Sequence, residues 1–244
     1  MPNQSRSITD EWFNKDFAKQ WDETAFEGNH ARTKHLDIML SIILKEYQAA
    51  NTILDLGIGS GQFEATIFDQ RPNANIVGVD YSPAMLELAE IRLRSFLEQC
   101  VLIQHDFTNL EKLVLPRKKY QIAVSVQALH HISHQKKLEV FKYLYQILEE
   151  KGIFLLSDRI TINTTHLSHL YTALWEYLEE NSKMKSGWSG KYYVHERLPQ
   201  KADYPATLEE LLTFLHEAGF QAACLHLQMD RALIAGIKLP KPLV

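Results

Sequence analysis

Along most of the chain, short apolar runs of strand length alternate with segments of helical period. Thr52–Gly57 (TILDLG) reads as a buried strand ending in glycine, Gln62–Gln70 as a short helix and Asn75–Asp80 (NIVGVD) as a second strand. Pro83–Leu97 then places Met85, Leu86, Leu88, Ala89, Leu93 and Phe96 near helical spacing. Its start is marked by Ser82 as N-cap, Pro83 at the first helical position and Glu87 as early negative charge. Val101–Asp106 and Tyr120–Val126 read as strands three and four, Gln135–Glu149 as a helix, and Gly152–Asp158 as strand five. Runs that are apolar on both faces, separated by helices, predict a parallel sheet covered on both sides. Right-handed crossovers make it an α/β, doubly wound, mostly parallel sheet of Rossmann-like type, expected to have seven strands.

The C-terminal pattern differs. Thr207–Ala218 reads as a helix closed by Gly219, and Phe220–Gln228 and Ala232–Leu239 as strands separated only by Met229, Asp230 and Arg231. That spacing predicts an antiparallel hairpin added to the sheet. Between strand five and this ending, Leu167, Leu170, Tyr171, Leu174, Trp175 and Leu178 form one helical stripe, and Asn181–Ala206 reads as a long loop or lid. Near the N-terminus, Ile8–Trp21 is a helix candidate with Phe13, Phe17 and Trp21 at steps of four. One domain is expected: a helical cap or lid (1–50), a ligand-binding core (51–158), a lid insert (159–206) and a terminal helix and hairpin (207–244).

Composition narrows the class. With 45% hydrophobic and 23% charged residues in 244, the chain can bury a core without disulfide or metal staples. The 26 basic against 30 acidic residues give −4, which argues against a surface built for nucleic acid. Two cysteines, Cys100 and Cys224, imply no disulfide framework and read as packing residues of a protein from a reducing, cytoplasmic setting. Residues 1–10 hold no apolar run, and nowhere do about 18 apolar residues run uninterrupted, so neither a secretory signal nor a membrane span is expected.

Ligands of such sheets bind beyond the carboxyl ends of the strands, where strand order reverses. Four features fall at such ends: Asp55-Leu56-Gly57-Ile58-Gly59-Ser60-Gly61, Asp80, Asp106, and the Val126–His131 loop. Glycines permit a tight turn and close approach to backbone, and a strand-two acid can accept from both hydroxyls of a ribose. The dinucleotide fingerprint is not met: Gly57 and Gly59 fit, but the third glycine position falls on Gln62 and the extra glycine, Gly61, comes one residue early. Asp55 also suits a ligand bearing an ammonium better than a pyrophosphate.

On these residues the chain resembles the class I S-adenosylmethionine-dependent methyltransferase family, over roughly 52–158. ILDLGIGSG at 53–61 is similar to that family's first motif, VGVDYSPAML at 77–86 to its second and His105-Asp106-Phe107 to its third. ALHHI at 128–132 and ILEEKGIFLLSD at 147–158 match its small-molecule branch. The resemblance implies S-adenosylmethionine as cofactor and S-adenosylhomocysteine as product. It implies a cofactor site of Asp55, Gly57, Gly59, Ser60, Gly61, Asp80, Tyr81, Met85, Asp106, Phe107 and Gln127. Asp80 would hold the ribose, Tyr81 and Met85 would flank the adenine, and Asp106 would accept from its amino group.

A sulfonium methyl is already activated, so alignment and exclusion of water are the main tasks, and a general base is needed only for a neutral hydroxyl. His130 and His131, the catalytic candidates, sit where the methyl should point; the resemblance favours His131 as base, and His130 reads as a half-buried core or cofactor-wall residue before a base. No metal is expected, because no carboxylate cluster is evident beside His130, His131 and His134. Trp12, Phe17, Trp21, Trp175, Tyr192, Tyr193 and Arg197 are lid or substrate candidates; packing on the sheet or facing solvent are their ordinary alternatives. The leading function is methyl transfer to O or N of a small molecule by a monomer or homodimer, with no membrane or nucleic-acid partner. Kept beside it are a non-methyl use of the same cofactor (cyclisation, cleavage, or a carboxylated cofactor for tRNA modification) and a nucleic-acid or protein methyltransferase. Against the last, strand four is followed by Gln127-Ala128-Leu129 rather than an N/D-P-P-Y-type tetrapeptide.

Overall fold

The computed structural model describes residues 9–26, 30–48, 51–162, 166–181 and 203–240. Seven strands form one sheet in the order β3-β2-β1-β4-β5-β7-β6. They are β1 (Ile53–Leu56), β2 (Ile76–Asp80), β3 (Cys100–Gln104), β4 (Tyr120–Val126), β5 (Leu148–Arg159), β6 (Gln221–Gln228) and β7 (Arg231–Ile237). The first five pair in parallel, β7 runs antiparallel to β5, and β6 antiparallel to β7. The expected doubly wound sheet with a terminal hairpin is therefore present. Order reverses between β1 and β4, so their carboxyl ends open the cleft where a ligand is expected.

Eight α-helices are described: α1 (Thr9–Trp12), α2 (Lys15–Thr24), α3 (His30–Glu46), α4 (Gln62–Gln70), α5 (Pro83–Arg92), α6 (His134–Ile147), α7 (Ser168–Asn181) and α8 (Leu208–Ala218). One face of the sheet, with Leu54, Leu56, Val77 and Val79, packs on Val140, Phe141 and Leu144 of α6 and Leu211 and Leu215 of α8. The other, with Ile53, Ile76, Ile122 and Val124, packs on Met39 and Ile43 of α3, Phe63 and Ile67 of α4, and Leu86 of α5. Strand alternation thus puts Asp55 on the same face as Ile53, toward α3 and α4.

Several boundaries differ from the sequence pattern. The N-terminal helix candidate divides in two because the Asn14 side chain accepts from the amides of Asp16 and Phe17, capping α2 afresh. Among the described residues of 1–50, α1 and α2 overhang the cleft, while α3 is built into the core. The helix from Pro83 stops at Arg92 and continues as a tighter turn at Arg94–Phe96. Ser133 caps α6, which ends at Ile147, and β5 begins at once, earlier than its apolar run. The hairpin turn is only Met229-Asp230, Met229 taking a left-handed φ of 52°, and Arg231 belongs to β7. Among the described residues no helix is long and apolar enough to cross a membrane.

Candidate functional site

The glycine turn follows directly from β1. The Gly57 amide donates to the Val79 carbonyl (2.7 Å), which folds the loop across the end of β2. Gly57 has φ +95°, and a Cβ there would lie 2.2 Å from that of Ala128, so neither backbone nor space admits a side chain. Gly59, at φ +56°, faces open space apart from the Met85 methyl at 3.4 Å, leaving its backbone approachable. Its amide donates to Asp80 Oδ2 (2.9 Å), and the Ser82 amide donates to Asp80 Oδ1 (2.9 Å). Burial pushes the Asp80 carboxyl above its ordinary pKa, and these amides pull it back.

The main cleft is lined by Gly57, Gly59, Asp80, Tyr81, Met85, Asp106, Phe107, Gln127 and His131, with Trp12 and Trp21 across it. Most of the residues expected around the cofactor therefore converge on one cavity. Asp106 lies two residues beyond β3 and its carboxylate accepts from the Thr108 amide (2.8 Å), capping a short 3-10 turn. A smaller recess beside it holds Arg32, Asp55, Ser60, Gln62 and Trp21. Gln127 adopts φ 52°, and its amide donates to the Ser157 carbonyl (2.7 Å). A non-glycine residue in the left-handed region is strain of the kind kept at working sites. Its Oε1 accepts from Arg32 (3.0 Å), while its Nε2 is buried without a partner.

Two of the expected contacts are also engaged by the frame. Ser60 is 2% exposed and its hydroxyl donates to Asp22 of α2. Gly61 starts α4 at φ +74° under the Leu93 side chain and does not line the main cleft. Asp22 also accepts from Gln62 Nε2 (2.7 Å) and Arg92 Nη2 (2.8 Å), while the Ser82 hydroxyl donates to the Trp12 carbonyl. The α1–α2 pair is thus tied to the glycine loop and to α5. Trp12 is the hub of its inner face, with ring centroids 5.1 Å from Phe17, 5.6 Å from Trp21 and 5.6 Å from His131.

At the other wall stand the two histidines. His130 is buried, its Nδ1 2.6 Å from Asp158 Oδ1, and burial lowers its pKa despite that carboxylate. His131 lines the cleft, and its Nδ1 lies 2.9 Å from Asp203 Oδ1. Asp203 Oδ2 accepts from Arg159 Nη1 (2.8 Å). Hydrogen bonds from His131 and the charges of both histidines and Arg159 outweigh burial and bring the Asp203 carboxyl down to about 2. The Tyr204 amide donates to the His130 carbonyl (2.6 Å), and the buried Lys137 ammonium to the carbonyls of Ile132 and Tyr204. The sequence shows no carboxylate near the histidines; folding brings two. His130, His131 and Asp203 have atoms close enough to share a metal ion, but Arg159 already neutralises Asp203, so the set reads as a hydrogen-bonded network.

Trp175 packs against Met229, Tyr171 and Leu178 and is not among the residues lining the cleft. Phe17 touches the cleft only through Trp12. Tyr192, Tyr193 and Arg197 lie outside the described residues. Sequence reading missed Asp22, Arg32, Gln62, Arg92, Asp158, Arg159 and Asp203 as parts of the site. Each owes its place to a contact across at least 28 residues, which no local pattern encodes.

Comparison with known proteins identifies the family and the fold. A family model described as a methyltransferase domain matches residues 48–219. Carboxy-S-adenosyl-L-methionine synthase of Nautilia profundicola is 24% identical over 225 residues, covering 88% of this chain and 92% of that protein. An uncharacterized methyltransferase of Oceanobacillus iheyensis is 25% identical over 125 residues, covering 51% and 54%. Among solved structures, human N-acetylserotonin methyltransferase in complex with SAM superposes with TM-score 0.62 at 16% identity, covering 98% of this chain and 61% of that one. At such identity the superposition speaks for the fold.

Proposed function

The chain belongs to the methyltransferase domain family, and from that premise we propose that it transfers a methyl group from S-adenosylmethionine to an oxygen or nitrogen of a small molecule, with His131 as general base. The observation that carries this reading is His131 at the cleft wall with Nδ1 on Asp203, which leaves Nε2 as the ring nitrogen for a substrate proton.

The residues present fit the cofactor. Asp80, held by two amides, presents acceptors for ribose hydroxyls, and Gly59 offers open backbone. The buried Asp55 carboxyl and Gln127 Nε2, which lacks a partner, are an acceptor and a donor for the amino-acid end. Arg32 beside them supplies positive charge toward a carboxylate. Tyr81, Met85 and Phe107 give the apolar walls an adenine needs. Bound there, S-adenosylmethionine supplies a sulfonium methyl already activated for displacement.

The chain's own part is positional and acid–base. Asp203 fixes the His131 tautomer with the proton on Nδ1 and stabilises the imidazolium formed when Nε2 accepts the acceptor's proton. Trp12, Trp21 and Ile132 exclude water from the cleft. Holding the acceptor in line accounts for roughly 7–11 kcal/mol of the barrier in well-aligned reactions.

A second reading, in which the cofactor is carboxylated, is favoured by the names of the Nautilia and Campylobacter relatives. The test is mass spectrometry after incubation with S-adenosylmethionine, alone and with fractionated small-molecule extract. S-adenosylhomocysteine formed only with extract, beside a product one methyl heavier, is expected. A cofactor heavier by a carboxyl group, or methylthioadenosine without any acceptor, overturns methyl transfer.

A further inference from the structure

Glu64 plays no part in the chemistry above, yet it is 1% exposed and its carboxyl is hydrogen-bonded to that of Asp55. It projects from α4 toward Asp55 of β1, itself 1% exposed. Two carboxyls therefore share one dry site. Arg32 from α3 and Arg92 from α5 act on Glu64 in its charged form, and Asp80 from β2 opposes ionisation of Asp55. Arg32 in turn feels Asp22 of α2 and Arg231 of β7. Its guanidinium also donates to Gln127 Oε1 (3.0 Å) and Gln62 Oε1 (3.1 Å), and lies 5.1 Å from the ring centroids of both Trp21 and Phe26. Arg92 is also engaged, by Asp22 and the Ser60 carbonyl. Burial raises both carboxyl pKa values, and Asp55 the more strongly, because the charge of Glu64 and the hydrogen bond between the two carboxyls favour Asp55 as the protonated partner, while that bond and the two arginines pull Glu64 back.

Beside this pair lies the recess that holds Arg32, Asp55 and Gln62. An acid on one side and a guanidinium on the other complement an α-amino-acid zwitterion. Resting on the cofactor reading above, we infer that Asp55 and Glu64 hold one proton between them in the free protein and release it to solvent when an α-ammonium group docks at Asp55. Glu64 is then a binding determinant: it makes cofactor capture an exchange of a proton for an ammonium, and favours nucleosides that carry the intact amino-acid end.

Linkage gives the sign. A proton released on binding makes affinity rise with pH, by up to about tenfold per unit, until the free pair is already ionised. Titration calorimetry in two buffers of different ionisation heat, at several pH values from about 5 to about 8, reads the proton directly. S-adenosylhomocysteine carries the ammonium, and methylthioadenosine is a nucleoside thioether without it. Release with the first, none with the second, and loss of release in Glu64→Gln are expected. Buffer-independent heats with S-adenosylhomocysteine, or equal release with both nucleosides, overturn the inference while leaving the cofactor reading intact. If neither nucleoside binds, both fall.

Discussion

Asp22 on α2 and Arg92 on α5 meet at 2.8 Å, and the same carboxylate takes the Ser60 hydroxyl and the Gln62 amide. The helix that covers the cleft is thereby fastened to the two elements that form its floor. The pair is only partly exposed, at 29% and 12%, so its charge-assisted bond should contribute on the order of 1–3 kcal/mol to closure. Arg92→Met should weaken S-adenosylhomocysteine binding about tenfold by calorimetry while lowering Tm by only a few degrees. Unchanged affinity would detach the latch from cofactor binding.

His131→Ala and Asp203→Asn should each lower turnover about 10²-fold or more, with cofactor affinity nearly unchanged. Because the two act as one unit, the double variant should be little worse than either single one. A fall in affinity at normal turnover would make His131 a wall residue.

Asp80→Ala removes the carboxylate that receives the Gly59 and Ser82 amides. Cofactor affinity should drop by at least about 1.5 kcal/mol, measured by calorimetry on protein shown to be folded.

The two cleft glycines should respond differently. Gly57→Ala meets Ala128 at 2.2 Å, a contact that must shift backbone, and should fail to fold or melt far below the parent. Gly59→Ala has room, with its nearest neighbour at 3.4 Å, and should fold with a loss of about 1–2 kcal/mol for its left-handed φ. Its main defect should be in cofactor binding, because the new methyl group occupies the approach to the backbone.

Thermal melts of the ligand-free protein against pH should carry the mark of the buried acids. Folding raises the carboxyl pKa values of Asp55, Glu64 and Asp80. A raised pKa contributes stability that is present below the unfolded value and lost as pH rises through the folded one. Tm should therefore fall as pH rises from mildly acidic values, and Glu64→Gln should flatten that fall. Asp203 works in the opposite sense: its contribution is present above its unfolded value and disappears only as pH falls toward about 2.

The part of the cleft proposed for the cofactor was legible because its residues lie within a few positions of strand ends. Gly57, Gly59, Asp80 and Asp106 are located once the apolar runs are located. The partner-dependent half was not. Asp203 reaches His131 across 72 residues, and Arg32 reaches Gln127 across 95. Nothing in the neighbourhood of Asp203 or Arg32 distinguishes it from a surface charge. The missing carboxylate also misdirected the view of the histidines, which looked unsupported until β5 placed Asp158 and the 203–206 segment placed Asp203 beside them. Helix α3 escaped notice for a related reason. Its buried residues Leu36, Met39 and Ile43 are interspersed with the buried polar side chains Arg32 and His35, so its inward stripe is not purely apolar.

β5 ends in Asp158 and Arg159, which hold His130 and Asp203, and it is paired along both edges, in parallel with β4 and antiparallel with β7. The cover formed by α1 and α2 is joined to the rest largely through side chains. Amide hydrogen exchange should separate the two: the backbone amides of β5 should open only with global unfolding, and those of α1 and α2 by cheap local opening. On the proposed function, the protein can then admit and discharge its ligand without loosening the groups assigned to steer the proton.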